Sequence, residues 1–135
     1  MIYLDTNIFA YAIMNNDYKG IECRKILSKI ARKQEKGFTS CITWDELVFI
    51  VQKYRGREIS LKEGERMLKF PNLEFIKLDK LIINKAQEIM FNYNLKPRDA
   101  IHAASAIIYN IREIVSDDSD FDELKEIKRT KINLT

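Results

Sequence analysis

Ile2-Tyr3-Leu4-Asp5-Thr6-Asn7-Ile8-Phe9 sets three apolar residues before a carboxylate, then two small polar residues, then apolar positions again. Ile2 to Leu4 reads as a short buried strand. Ile8, Phe9, Ala12 and Ile13 recur at helical spacing up to Met14, so a strand hands over to a helix at Asp5. The same grammar repeats along the chain. Residues 18–35 carry Ile21, Ile26, Leu27, Ile30 and Ala31 on one helical face, with Lys36-Gly37 as the expected stop. Residues 38–42 form the next strand. Thr43-Trp44-Asp45-Glu46 and Ser60-Leu61-Lys62-Glu63 have the form of capping boxes, each opening a helix, with a polar turn over 53–58 between them.

Residues 73–78 read as a third strand, after which Asp79 caps a helix with Leu81, Ile82, Ala86, Ile89, Met90 and Tyr93 inward. Pro97 suits the first turn of a further helix. That helix, 99–109, is Ala-rich and apolar nearly all round, which predicts close packing on a sheet. Residues 113–116 make a fourth strand, 117–122 an acidic turn, and 127–132 a last short strand. Strands that alternate with helices need crossover connections. The fold class is therefore α/β, a mostly parallel central sheet flanked by helices.

The chain has 135 residues, 46% hydrophobic and 32% charged, which suits one domain over 1–135 with a core large enough to offset chain entropy. Four Gly and two Pro leave no linker or low-complexity segment. The opening residues lack the basic and apolar regions of a signal peptide, and the longest uncharged stretch, 100–111, is shorter than the ~18 residues of a membrane span. A cytoplasmic protein with no membrane partner is expected. Cys23 and Cys41 lack CxxC spacing and read as buried thiols without chemistry.

Asp5, Asp118 and Glu46 stand just beyond the C-terminal ends of expected strands, while Asp99 opens a helix that packs on the same sheet. In an open parallel sheet, ligands bind at that rim. Each acid also has a local structural role: Asp5 and Asp118 as helix caps, Glu46 as the partner of Thr43, Asp99 at the positive end of a helix. Those roles do not explain why the acids share one rim. Clustered carboxylates repel and raise one another's pKa, and a hard divalent cation with oxygen ligands removes the conflict. That is hardware for phosphodiester cleavage. No other catalytic set competes, because GxSxG and Walker loops are absent and a single His rules out HExxH. That residue, His102, lies one turn after Asp99 and reads as a satisfied core histidine, with contact to the site as the alternative; Tyr3, Tyr11 and Ser105 read as structural.

At these residues the chain resembles the PIN-domain nucleases, most closely the VapC-type toxins. The resemblance rests on Asp5-Thr6-Asn7 after the first strand, Glu46 in the third helix, Asp99-Ala100-Ile101-His102-Ala103-Ala104, and Ser116-Asp117-Asp118-Ser119-Asp120-Phe121-Asp122. It spans essentially the whole chain. It implies that Asp5, Glu46, Asp99 and Asp118 are the catalytic, metal-binding acids, with Asp120 a supporting acid and Thr6, Asn7 and Ser116 orienting them. Asp117 and Asp118 compete for the last position; Asp118 matches the family's spacing to Phe121. The implied activity is Mg2+- or Mn2+-dependent endoribonuclease, the toxin of a toxin-antitoxin pair, with an RNA substrate, a small antitoxin and a homodimer. The alternatives are a PIN nuclease of RNA processing or DNA metabolism, and a non-catalytic interaction module of the same fold. A phosphoacceptor receiver domain is disfavoured because Thr6 and Asn7, not a second acid, follow Asp5.

The net charge is +3, and sequestering four acids leaves +7 on the rest. Basic residues cluster over 19–36 and 53–69, either as a phosphate grip or as ordinary solvated helix faces paired with Glu.

Overall fold

In a computed structural model that describes residues 1–132, the chain runs β1 (Ile2–Leu4), α1 (Thr6–Met14), α2 (Tyr18–Ala31), β2 (Gly37–Ser40), α3 (Ile42–Arg55) and α4 (Arg57–Leu68). It continues with β3 (Leu73–Ile76), α5 (Lys80–Asn92), α6 (Pro97–Ile108), β4 (Glu113–Val115), a 3-10 turn (Ser119–Glu123) and β5 (Lys128–Thr130). The five strands form one sheet in the order β3-β2-β1-β4-β5, and every pairing is parallel. From β1 the chain moves outward to β3, then returns to the other side of β1 for β4. The order reverses between β1 and β4, which opens a crevice at their carboxyl ends.

Alternation along β1 splits the core. Ile2 and Leu4 join Ile8, Phe9, Leu47 and Val51 on one face. Tyr3 points to the other, against α5 and α6, with Ala100, Ala103, Ala104 and Ile114. The alanines let α6 lie close to the sheet, as its composition predicts. Among the described residues no helix is long and apolar enough to cross a membrane.

Three local expectations are corrected. The helix of 18–35 ends at Ala31: Lys33 adopts a left-handed φ of 62°, Gln34 N–H reaches Lys29 O at 2.8 Å, and Lys33 N–H reaches Ile30 O at 3.0 Å. This Schellman closure satisfies the last carbonyls without a glycine. Gly37 instead begins β2, where an added Cβ would stand 2.4 Å from Ile30 Cδ1.

Neither capping box forms. Helix α3 starts at Ile42, whose N–H is taken by Ser40 Oγ at 3.1 Å. The Thr43 hydroxyl lies 2.7 Å from Thr39 Oγ1, which itself donates to Leu4 O, so Thr43 ties α3 to the sheet. Helix α4 starts at Arg57 after Gly56, whose φ of 87° makes the sharp turn, and Ser60 donates to Arg57 O inside the helix. Cys23 is buried, but Cys41 is exposed.

Gly20 holds α1 and α2 together. A Cβ there would sit 1.9 Å from Asn15 O, the backbone carbonyl at the end of α1. Alanine gains up to ~1 kcal/mol of helix propensity, but a backbone collision of this kind costs ~1–3 kcal/mol or more. Gly20→Ala is therefore expected to lower the urea midpoint of unfolding. An unchanged or higher midpoint would show that the two helices separate freely.

Candidate active site

Asp5 sits at the crevice as the N-cap of α1. It is buried, and its Oδ1 accepts Thr6 N–H at 2.7 Å. Its Oδ2 accepts the Ser116 hydroxyl at 2.7 Å and Asn7 Nδ2 at 3.3 Å. Ser116, just beyond β4, also accepts the Asp118 N–H at 3.0 Å. One hydroxyl thus joins the acid after β1 to the backbone of the acid after β4. Asp118 Oδ1 in turn accepts the Asp120 N–H at 2.9 Å, which folds the acidic turn back on itself.

Asp99, in the first turn of α6, completes the rim. Carboxylate oxygens of Asp99, Asp118 and Asp120 all lie within 4.8 Å of one another. Burial first, then the charges of Asp118 and Asp5, push the Asp99 carboxyl up to about 6. A cation placed among these oxygens would offset both the burial and the repulsion. The donor set fits a hard divalent cation. Asn7 Oδ1 supports the fit, being buried beside Asp5 without a hydrogen-bond partner among the described residues.

Glu46 projects from α3 to the other side of Asp5. Its Oε1 accepts the Thr6 hydroxyl at 3.0 Å and His102 Nε2 at 2.6 Å, while Asp5 Oδ1 lies 3.6 Å from the same nitrogen. Burial pushes the Glu46 carboxyl up, but the His102 bond and charge, helped by Thr6 and Arg98, outweigh it and hold the carboxyl below its ordinary value. Burial acts on His102 the opposite way, and the Glu46 bond with the Asp5, Glu46 and Asp99 charges leaves it raised. His102 is thus both a satisfied core histidine and a neighbour of the site.

The two adjacent acids take different partners. Asp117 Oδ2 accepts Lys19 Nζ at 2.7 Å and the Tyr11 hydroxyl at 3.1 Å, away from the acidic group. Asp118 points inward. Arg129 holds the far end of the turn, with Nε and Nη2 on Asp122 and Nη1 on Ser116 O at 3.1 Å. Neither the Tyr11 nor the Arg129 contact is legible in the local pattern, because they join residues about a hundred and about a dozen positions apart.

All eight expected site residues, Asp5, Thr6, Asn7, Glu46, Asp99, Ser116, Asp118 and Asp120, gather at this one crevice. They form two groups. Asp99, Asp118 and Asp120 face one another, whereas Asp5 and Glu46 converge on His102. On the basic helix faces four cations pair with nearby glutamates at the surface: Lys25 with Glu22, Lys62 with Glu58, Arg66 with Glu63 and Lys69 with Glu65. Arg24 and Arg55 bind backbone carbonyls. At the start of α6 stand two exposed cations, Lys96 and Arg98, and the charge of Arg98 reaches Glu46. A cavity of about 410 Å3, walled by Phe9, Ile13, Leu27, Leu47, Met67 and Phe70, contains none of the acids.

The PIN domain family model matches residues 2–127, from the first strand through the acidic turn. The chain belongs to the PIN-domain family. Among curated relatives, the PIN protein is similar to Ribonuclease VapC2 of Methanocaldococcus jannaschii, 27% identical over 132 residues, covering 89% of this chain and 86% of that one. Among solved structures it resembles VapBC2 from Rickettsia felis, bound to a promoter DNA fragment, with a TM-score of 0.77 and 23% identity over 97% of this chain and 98% of that one. DNA-bound VapBC from Salmonella typhimurium matches with a TM-score of 0.77 at 20% identity, covering 98% of each chain. The sarcin-ricin loop cleaving toxin VapC20 of Mycobacterium tuberculosis matches with a TM-score of 0.72 at 15% identity, over 91% of this chain and 94% of that one.

Proposed function

We propose that this PIN protein is a divalent-cation-dependent endoribonuclease, the toxin of a toxin-antitoxin pair acting in the cytoplasm. The observation that carries the proposal is the convergence of Asp99, Asp118 and Asp120 within 4.8 Å beside a buried, pre-oriented Asp5. The similarity to a named ribonuclease and to toxin-antitoxin structures supports the RNA substrate and the small antitoxin partner. A homodimer belongs to the same reading, since α5 leaves Leu81 58% and Phe91 81% exposed in the single chain.

Asp5, Asp99 and Asp118 would hold Mg2+ or Mn2+, with Asp120 beside them. Such an ion supplies Lewis acidity towards water and positive charge against the phosphodiester. Ser116, Thr6 and Asn7 fix Asp5 before any ligand arrives, so no reorganisation is needed during the reaction. Glu46 orients the attacking water, and the acidic turn keeps Asp118 aimed inward.

An acidic crevice repels RNA unless cations flank it. Lys96 is the N-cap of α6 and Arg98 lies in its first turn, where the helix dipole disfavours positive charge, so helix stability does not account for them. Arg98 already acts on Glu46 through its charge. In this reading it takes a substrate phosphate. The test is cleavage of labelled single-stranded RNA with Mn2+, using Asp118→Asn as the inactive control. Arg98→Ala is expected to raise KM for RNA severalfold with kcat nearly unchanged, and to reduce the log-log salt slope by ~0.7 for one lost phosphate contact. An unaltered salt slope would remove Arg98 from the substrate path. Cleavage of duplex DNA in preference to RNA would favour the DNA-directed alternative.

A further inference from the structure

His102 is fully buried, yet both of its ring nitrogens are engaged by functional groups of other elements. Nδ1 lies 2.6 Å from the Tyr3 hydroxyl on β1, and Nε2 lies 2.6 Å from Glu46 Oε1 on α3. A carboxylate only accepts, so Nε2 carries the hydrogen in either charge state of the ring and donates it to Glu46. The Tyr3 ring stands edge-on to the imidazole, with centroids 5.7 Å apart at 66°, and is itself fully buried. With both nitrogens occupied and no exposed surface, His102 has no route to RNA or to bulk water. It acts through what it holds.

Glu46 needs such a holder. Asp5 is fixed by an adjacent backbone N–H, and Asp118 by the backbone of its own turn. Glu46 has a longer side chain, and its hydrogen bonds all come from side chains: Thr6 at 3.0 Å and His102 at 2.6 Å, both on Oε1. A flexible carboxylate held by one oxygen keeps the other for a ligand. The buried face of α6 otherwise carries Ala100, Ala103, Ala104, Ala106 and the small Ser105, and an apolar residue at position 102 would avoid desolvating an imidazole. Packing alone therefore does not call for the polar ring.

We propose that His102 is a positioning residue for the nuclease reaction: it fixes Glu46 Oε1 against Thr6 and leaves Oε2 to orient the attacking water. The inference rests on the nuclease reading of the site, but its contact can be tested apart from activity. His102 is the chain's single histidine, so a 15N-resolved spectrum shows one imidazole without assignment ambiguity. Glu46→Gln should move its Nε2 resonance strongly, and Asp118→Asn should move it little. An Nε2 signal indifferent to Glu46→Gln overturns the proposal even in a protein that cleaves no RNA.

The kinetic arm is a double-mutant cycle. His102→Leu should lower kcat for RNA roughly 10- to 100-fold with KM within about threefold, and should have no further effect in the Glu46→Gln background. His102→Gln, whose amide nitrogen reaches about as far as Nε2, should restore most of the loss. Equal losses from His102→Leu in both backgrounds, or no rescue by Gln in a folded variant, would make the role purely structural. If His102→Leu fails to fold, the Gln variant and the imidazole spectrum decide the question.

Discussion

Asp99→Asn should abolish RNA cleavage while making the metal-free protein more stable at pH 7. The two effects have one cause. In the free protein the Asp99 carboxyl is pushed up to about 6 from 3.8 by burial and by the charges of Asp118 and Asp5. Because the folded value exceeds the unfolded one, the contribution to stability is complete below pH 3.8 and is lost as pH rises through 6. At pH 7 the ionised Asp99 therefore destabilises the metal-free fold. At 1.36 kcal/mol per pKa unit the penalty is at most ~3 kcal/mol, and solvent at the crevice brings it nearer ~1–2 kcal/mol.

The metal-free wild type should consequently gain Tm as pH falls from 7 towards 5. Asp99→Asn should blunt that gain rather than remove it, because His102 is also raised and titrates with the same sign. Glu46, held below its ordinary value, loses its contribution only at lower pH. Mn2+ at a hundredfold over its Kd adds ~2.7 kcal/mol, a Tm rise on the order of 10 °C at this size. Asp99→Asn and Asp5→Asn should both lose most of that rise. A metal response equal in wild type and variants would place the cation elsewhere, and a variant less stable than wild type without metal would refute the repulsion argument.

The second large effect is expected at Glu46. Glu46→Gln keeps an oxygen for Thr6 and His102 but removes the charge, so kcat should fall about 10^2- to 10^4-fold, the range for loss of a positioned acid-base group. The fold should survive. Glu46 lies within α3 rather than at its cap, and His102 can shed its second proton instead of remaining a buried unpaired cation. Circular dichroism and the unfolding midpoint check the fold, and single-turnover cleavage checks the chemistry. If Glu46→Gln cleaves RNA like wild type, Glu46 has a structural role only.

By itself the sequence determined the class of fold and the rim of the sheet at which its acids gather. Alternating strand and helix periods require parallel crossovers, and an acid directly after an apolar strand must lie at the carboxyl rim of that sheet. Asp5 and the pair Asp117-Asp118 follow from that local logic, and the Ala-rich run of α6 predicts its close approach to the strands. Helix ends were less legible. Lys33 in a left-handed conformation and Ser40 capping from outside the helix depend on neighbours that the local pattern does not contain.

Tertiary structure alone decided which partners the polar groups take. Asp117 and Asp118 are adjacent in sequence, and only the approach of Tyr11 and Lys19 from α1 and α2 draws one outward while Ser116 turns the other in. Within the basic segments, folding decides which cations meet a glutamate, as Lys25, Lys62, Arg66 and Lys69 do. Tyr3, Glu46 and His102 come from β1, α3 and α6, and their hydrogen bonds exist only because sheet order 3-2-1-4-5 brings those elements together. Apolar periodicity is read one element at a time because burial is a property of a face. A hydrogen bond between side chains a hundred residues apart is fixed only when the layers pack.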